Sequence, residues 1–417
     1  MTKQEKTLFI LIVLFFVTLF FSKLRIPNII ITGAIAIYCF SLSSIKEKLK
    51  LLKQRRSIQY MLFFFLLVII SMLLSDNRDK GLTYLVLRLP LLVFPISLGL
   101  ISMRKDFKEK LLLSYACITT LICVLCLGSA IYNYLTSHRN DAVYNDNLTL
   151  LIKQQSVYIA LLVNFAIYTF LYFILFRSTK YKGWMALAMM FLFGFSYLLG
   201  SRINMAVLMV MCLALCLYYI VSERMLLEGL ALTFALLIGS FLVFKFQPQM
   251  LNRYKELAYS NYNYENKGIE SHYNMELTPD QWNGANLRLA AWNCGWELFR
   301  ENPIVGVGLG DKKDLLIQKY QQKNFYFAIE TNKNVHNNYL DILYSMGIIG
   351  LVVFLVAWFF SPLVSAINSR DSLAAMMLIT LACAWITEIY LDRSFGGIIA
   401  GFFVPFLLAD KKKKGQP

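Results

Sequence analysis

Residues 335–360 read VHNNYLDILYSMGIIGLVVFLVAWFF, a polar threshold that runs into an apolar stretch long enough to cross a bilayer as a helix. The same pattern recurs along the chain. Spans are expected at about 7–21, 28–44, 58–75, 83–103, 111–131, 156–176, 184–200, 203–221, 225–246, 338–360, 372–391 and 394–409. Their continuous apolar character, with no alternation of faces, selects helices over a membrane barrel. The expected fold class is all-α: a polytopic integral membrane protein of about twelve transmembrane helices.

Composition agrees. Of 417 residues, 58% are hydrophobic and only 16% charged, too apolar for a soluble chain of this size. A formal charge of +16 invites a nucleic-acid reading. The basic residues, however, concentrate in short connections, Lys46 to Arg56, Arg104 to Lys110, Arg177 to Lys182 and Lys411 to Lys414. That is the positive-inside pattern, which puts these connections and both termini in the cytoplasm. Lys3 and Lys6 precede a first apolar run with no small-residue cleavage site after it, so that run is expected to stay as a helix. Seven of the eight cysteines fall inside apolar segments and Cys294 lies in a long loop, so no disulfide or metal framework follows. Cys123 and Cys126 read as small residues packing within a helix.

The chain divides into residues 1–246 with nine spans, a large outer loop at 247–335, and residues 336–417 with three spans and a basic tail. A shorter exposed segment, Thr136 to Gln155, falls on the same outer side. Tyr254 to Tyr273, rich in Tyr and Asn and carrying His272, is expected to be a mobile polar flap. Farther on, Leu287, Ala291, Trp292, Trp296 and Phe299 recur at helical spacing and Asn302-Pro303 supplies a stop, which predicts an amphipathic helix with Arg288 in its first turn. A cation there opposes the helix dipole unless an anion lies nearby. Gly306-Val307-Gly308-Leu309-Gly310 lacks the strand-turn-helix context of a dinucleotide site and reads as a turn.

The candidate chemistry sits where ionisable residues meet the membrane boundary. Charges inside spans are costly, so they face a protein interior or a water-filled cavity. With both termini inside, Arg88, Arg202, Asp341, Glu388, Asp392, Arg393 and His336 fall at the outer face, with Arg288 in the loop above it. His336 stands at the start of an apolar helix that Asn337 or Asn338 can cap, a place where the dipole favours neutral imidazole near pH 7. Arginines around such a histidine suit a multiply anionic group, because guanidinium forks pair with phosphate oxygens. The chemistry expected is group transfer from a lipid diphosphate, with histidine deprotonating the attacking hydroxyl and arginine stabilising the leaving group. Glu388 or Asp392 is the expected partner of the other ring nitrogen. No clustered-carboxylate metal motif is visible, so the transfer is expected to need no metal or other cofactor.

Several motifs carry a family likeness. Arg288-x-x-x-Trp292, Asn302-Pro303-Ile304-Val305-Gly306-Val307-Gly308, His336-Asn337-x-Tyr339-Leu340 and Gly347-Ile348-Ile349-Gly350-Leu351, with Gly200-Ser201-Arg202 upstream, resemble the O-antigen ligase and O-antigen polymerase superfamily. The resemblance implies an inverting glycosyltransferase of the bacterial inner membrane with its active site facing the periplasm. It would take a glycan from undecaprenyl diphosphate and join it to a lipid A core sugar. His336 would be the base, Arg202 and Arg288 would bind diphosphate, and Tyr158 is carried over as a substrate contact. Gln154-Gln155 stands where relatives often have a histidine before that tyrosine. A polymerase using the same donor and a lipid-linked glycan transporter remain as alternatives. Against the transporter, no internal repeat is evident and the polar residues gather at one face instead of the midplane.

Overall fold

The computed structural model describes residues 1–138, 141–223, 226–246, 255–266, 270, 278 and 281–409. Among these, the chain is helical with no β-strand. Seven helices are long and apolar enough to cross a membrane, at Ser22–Ser41, Arg56–Leu73, Arg78–Leu100, Lys105–Ser137, Ser156–Phe176, Arg202–Glu223 and Asn338–Asn368. Three shorter apolar helices, Lys182–Leu198, Ser372–Ala384 and Ser394–Leu407, fall at further expected spans. Helices Lys3–Phe20 and Leu226–Phe246 occupy the remaining two. Ile37, Trp184 and Val221 are each about three-quarters exposed, an apolar outer surface that suits hydrocarbon rather than water.

The site is built by nine helices: α1 (Arg56–Leu73), α2 (Arg78–Arg88), α3 (Ser156–Phe176), α4 (Arg202–Glu223), α5 (Asn286–Glu301), α6 (Lys312–Gln322), α7 (Asn338–Leu355), α8 (Ser372–Ala384) and α9 (Ser394–Leu407). α3 is the central post, buried along most of its length. Its two ends mark the two ends of the bundle. Arg177, just past its C-terminus, pairs with Glu109. Lys108 meets Asp371 at 3.1 Å and Arg104 meets Glu5 at 3.1 Å. The basic connections 104–110 and 177–182 thus reach one end of the bundle, while Tyr158, near the other end of α3, packs against Tyr390 with ring centroids 4.8 Å apart. The tail Lys411 to Lys414 and His272 lie outside the described residues.

Two spans depart from expectation. The eleventh was expected to run to residue 391, but α8 stops at Ala384 and residues 385–393 form an irregular turn at the end of the bundle expected to be outer. The cause is a contact far along the chain: Asn338 donates its backbone N–H to the Trp385 carbonyl at 2.8 Å, and its side-chain oxygen accepts from the Leu391 N–H at 3.1 Å. These bonds hold the turn against the start of α7. The tenth span is longer than expected and is broken at Gly347, whose φ of +67° interrupts the helix. Pro303 to Gly308 fills the break. Ile348 donates to the Pro303 carbonyl at 2.9 Å, Val307 to Tyr344 at 2.9 Å and Gly308 to Ser345 at 3.0 Å, so the opened backbone stays satisfied. A Cβ on Gly347 would fall 2.1 Å from the Ile304 oxygen, which only glycine avoids. The glycine-rich stretch is therefore a structural turn. It is anchored further by Leu309 and Gly310, whose N–H groups donate to the hydroxyls of Ser71, in the last turn of α1, and Ser75, just past its end, at 3.1 and 2.8 Å.

The described part of the loop at 247–335, expected to be outer, is a packed cap with its own core. Trp282, fully buried, lies against Phe325 and Phe327, and Leu287, Ala291, Cys294 and Leu298 of α5 pack with Leu316 and Tyr320 of α6. Tyr344 of α7 and Ile389 of the outer turn belong to the same cluster, fastening the cap to the bundle. Of the expected mobile flap, Tyr262 and Tyr264 correct the reading. Both pack on this core, and the Tyr264 hydroxyl donates to the Ala290 carbonyl at 3.4 Å. Aromatic side chains with that much apolar surface fold down where a neighbouring core can cover them.

Candidate functional site

His336 lies at the end of the bundle that holds Tyr158, the end expected from the sequence to be outer. Its backbone has φ +45°, a left-handed conformation that costs a β-carbon residue about 1–3 kcal/mol and is held by its surroundings. Its N–H donates to the Asn334 side chain at 2.9 Å, and Asn337 directly after it caps α7 by accepting from the Leu340 N–H at 3.0 Å. The imidazole leaves the chain just before the helix begins. Its Nδ1 lies 3.1 Å from Glu388 Oε2, with the histidine side chain 23% exposed and the glutamate 9%.

Glu388 is the partner that the outer turn delivers. Burial pushes its carboxyl up, but the His336 hydrogen bond and charge, the Ile389 amide and Arg288 together hold it below its ordinary value. An ionised Glu388 only accepts, so Nδ1 carries the proton in this bond, and in the neutral form of the ring Nε2 is the nitrogen left to act as acceptor. The other expected partner, Asp392, is placed elsewhere.

Arg288 stands in the first turn of α5, as its spacing predicts. Asn283 starts that helix, accepting from the Ala285 and Asn286 N–H groups at 2.8 and 3.0 Å. Arg288 Nη1 donates to the Gly284 carbonyl at 2.6 Å, and the guanidinium is near enough to Glu388 to favour its ionised form. Arg202, at the start of α4, reaches the same point from the bundle. A Cβ on Gly284 would meet Arg202 Nη2 at 2.7 Å, Glu256 Oε2 at 3.0 Å and Arg288 Nη1 at 3.2 Å. Two arginines from distant helices thus gather over one glycine, with Glu256 pairing to Arg202 at 3.0 Å. Glu256 and Gly284 were not singled out from sequence, and no periodicity marks either.

Arg393 is exposed and makes no ion pair among the described residues. Its guanidinium lies near Tyr158, whose hydroxyl is buried with no hydrogen-bond partner among the described residues. Tyr158 packs edge-on against Tyr390 at 4.8 Å and Phe395 at 5.7 Å.

Arg88 and Asp392 do not join the His336 pair; they are tied into an ionic cluster of their own. Arg88, fully buried at the end of α2, meets Asp392 at 3.0 Å and Asp341 at 3.4 Å. Lys312 of α6, also buried, bridges the same carboxylates at 2.5 and 2.6 Å and lies 4.5 Å from the Tyr84 ring centroid. Tyr344 donates to the remaining Asp341 oxygen at 3.0 Å. Burial pushes the Asp392 carboxyl up, and Lys312 and Arg88 outweigh it and hold it low. Two cations balance two carboxylates, so Arg88 has its charge matched within the protein. The cluster joins α2, the cap, α7 and the outer turn that carries Glu388. Lys312 was missed in the sequence because Asp311, Lys312, Lys313 and Asp314 look alike there. In the structure Asp311 and Asp314 turn to residues 76–80 and Lys312 turns inward.

Comparison with curated proteins finds no match. The family comparison does, over a segment that contains Arg202, Arg288 and His336 together with the glycine-rich turn and the break at Gly347. Residues 187–355 match the family model described as O-antigen ligase, so this segment is similar to that family.

Proposed function

We propose that the protein transfers a glycan from undecaprenyl diphosphate to a lipid A core sugar at the periplasmic face of the bacterial inner membrane. The observation that carries this reading is the His336–Glu388 pair lying at the same end of the bundle as the Arg202–Arg288 pair. The acceptor hydroxyl oxygen forms a bond to the anomeric carbon while the bond from that carbon to the diphosphate oxygen breaks. The hydroxyl proton passes to His336 Nε2, and Glu388 stabilises the imidazolium through Nδ1. Undecaprenyl diphosphate leaves with the bonding electrons, and Arg202, Arg288 and the exposed Arg393 balance its growing charge. Attack opposite the leaving group inverts the anomeric centre. With cations already supplied by side chains, the proposal assigns no role to a metal ion. Tyr158 borders the donor site, and Arg88 with Asp392 supports the turn that presents Glu388.

The test is a purified-enzyme assay with a glycosylated undecaprenyl diphosphate and a core-sugar acceptor. Transfer to the core sugar is the expected result. Extension of the donor glycan by further repeat units, with none joined to core, would make the protein a polymerase. In cells the same distinction is the lipopolysaccharide pattern of a deletion strain. Loss of the whole polymer ladder is expected, and core carrying one repeat would contradict the ligase reading.

A further inference from the structure

Between the spans Ser22–Ser41 and Arg56–Leu73 the basic connection folds as a helix of its own, Ile45–Gln54. A capping box starts it: Ser44 accepts from the Glu47 N–H at 3.3 Å, and Glu47 Oε2 accepts from the Ser44 N–H at 3.1 Å. Lys48 is buried, and its ammonium donates to the Cys39 and Ser43 carbonyls at 3.0 and 3.1 Å and to the Ser43 hydroxyl at 2.7 Å. Arg55, just past the helix, donates to the Gly99 and Ile101 carbonyls at 2.6 and 2.8 Å. These bonds fasten the helix at the end of the bundle where the connection 104–110 begins. Around its axis, at about 100° per residue, four faces follow in order. Lys48 and Leu51 turn to the bundle; Ile45, Leu49 and Leu52 come next; Lys46, Lys50 and Lys53, each one residue further on, follow; Glu47 and Gln54 close the circle. Ile45 is 76% and Leu49 52% exposed. The three lysines of the third face are exposed and make no ion pair among the described residues.

We infer that this helix lies in the membrane surface and binds the headgroups of anionic phospholipids. The order of its faces is the first reason. With the bundle on one side, the apolar face meets hydrocarbon, the lysine face stands opposite the bundle at headgroup level, and Glu47 and Gln54 face water, as a helix embedded in the interface requires. Continuity is the second. Ile37 and Phe40 of the preceding span are exposed, and Ile45 and Leu49 carry that apolar surface past the end of the span. Lys48 ties the two together, its Nζ 5.6 Å from the Phe40 ring centroid. Charge is the third. Glu47 is the one acid between Ile45 and Arg56, and its carboxylate is engaged in the cap, so Lys46, Lys50 and Lys53 are unmatched along one flank. That flank complements an anionic leaflet, and lysine stems lying on the apolar edge let the ammonium groups reach the phosphates.

The experiment follows amide hydrogen exchange in residues 45–54 of the full chain, reconstituted in phosphatidylcholine vesicles with and without phosphatidylglycerol. Phosphatidylglycerol should slow exchange there at least about fivefold, the effect of even one lysine held near an anionic surface, and high salt should weaken the slowing. Lys46→Gln, Lys50→Gln and Lys53→Gln combined should exchange like the parent in phosphatidylcholine and lose the slowing, whereas arginine at the same three positions should keep it. Lys180→Gln with Lys182→Gln, in another basic connection at the same end of the bundle, should leave it intact. Equal exchange in the two lipids would overturn the inference, as would slowing that survives the three glutamines. Loss of the slowing in the Lys180 and Lys182 variant would assign it to the basic end as a whole and overturn the helix as the site. Protection that phosphatidylglycerol does not give and a soluble extract does would assign the face to a protein partner and overturn it too.

Discussion

Lys312→Met tests the ionic cluster that carries the outer turn. In the parent, Lys312 and Arg88 balance Asp341 and Asp392, with Lys312 and Asp341 side chains each 2% exposed and Arg88 fully buried. Removing the ammonium leaves Arg88 facing two carboxylates, one of them uncompensated in a site that water scarcely reaches. Breaking a buried pair in this way costs about 3–5 kcal/mol. The carboxylates can restore balance only if one is neutralised as well. Lys312→Met combined with Asp392→Asn leaves one cation and one anion and should recover much of the loss, with a coupling of at least about 2 kcal/mol, inside the range measured for residues in one ion-pair network. The assay is denaturant unfolding of parent, both single variants and the double variant in the same micelles, read by tryptophan fluorescence. Additive effects, agreeing within about 0.5 kcal/mol, would show that Lys312 and Asp392 are independent and refute the cluster as a unit. Transfer activity should follow the same pattern, because the turn anchored by Asp392 presents Glu388.

Further outcomes follow from single groups. Glu388→Gln keeps the shape but replaces a charge-assisted hydrogen bond to His336 with a neutral one, a difference of about 1–1.5 kcal/mol, so kcat should fall about tenfold with donor KM nearly unchanged. A loss confined to KM would make Glu388 part of the donor site instead. Arg288→Lys should lower transfer by more than about tenfold because an ammonium cannot reproduce bidentate contact with phosphate, and a fully active lysine variant would return Arg288 to a structural role. Glu388, Asp392 and Asp314 all have carboxyls held below their ordinary values, Asp314 chiefly by the Lys80 hydrogen bond. Stability from such groups is fully present above the unfolded pKa of about 3.9–4.3 and is lost as pH falls through the lower folded values. The thermal midpoint should therefore hold down to about pH 5 and drop below about pH 4. A midpoint that stays level through that acid range would contradict the three assignments.

Much of the bundle was legible because hydrophobic length is a strong signal. Helices occupy each place where an apolar run was read, and α5 begins where the Leu287–Trp292–Trp296 spacing and Asn302-Pro303 placed it. What periodicity could not show was where long-range bonds override it. The apolar run through residue 391 gave no sign that Asn338 would hold Trp385 and Leu391 in a turn, yet that turn puts Glu388, and not Asp392, on His336. Sidedness brought Arg88 into the group, but only three-dimensional pairing shows its charge matched by Asp341 and Asp392. The glycine-rich stretch read as a turn, while its partner, the broken backbone around Gly347, lies far along the chain and is hidden in an otherwise continuous apolar helix.

The central claim is that His336 moves the proton and the arginines hold the donor. The direct measurement is single-turnover transfer by His336→Ala beside equilibrium binding of the undecaprenyl diphosphate donor, at matched folding. A positioned base contributes about 10²–10⁴-fold, so turnover should fall by that order while donor affinity stays close to the parent value. Retained turnover would contradict the base assignment, and lost donor binding with the remaining chemistry intact would move His336 from proton transfer to diphosphate recognition.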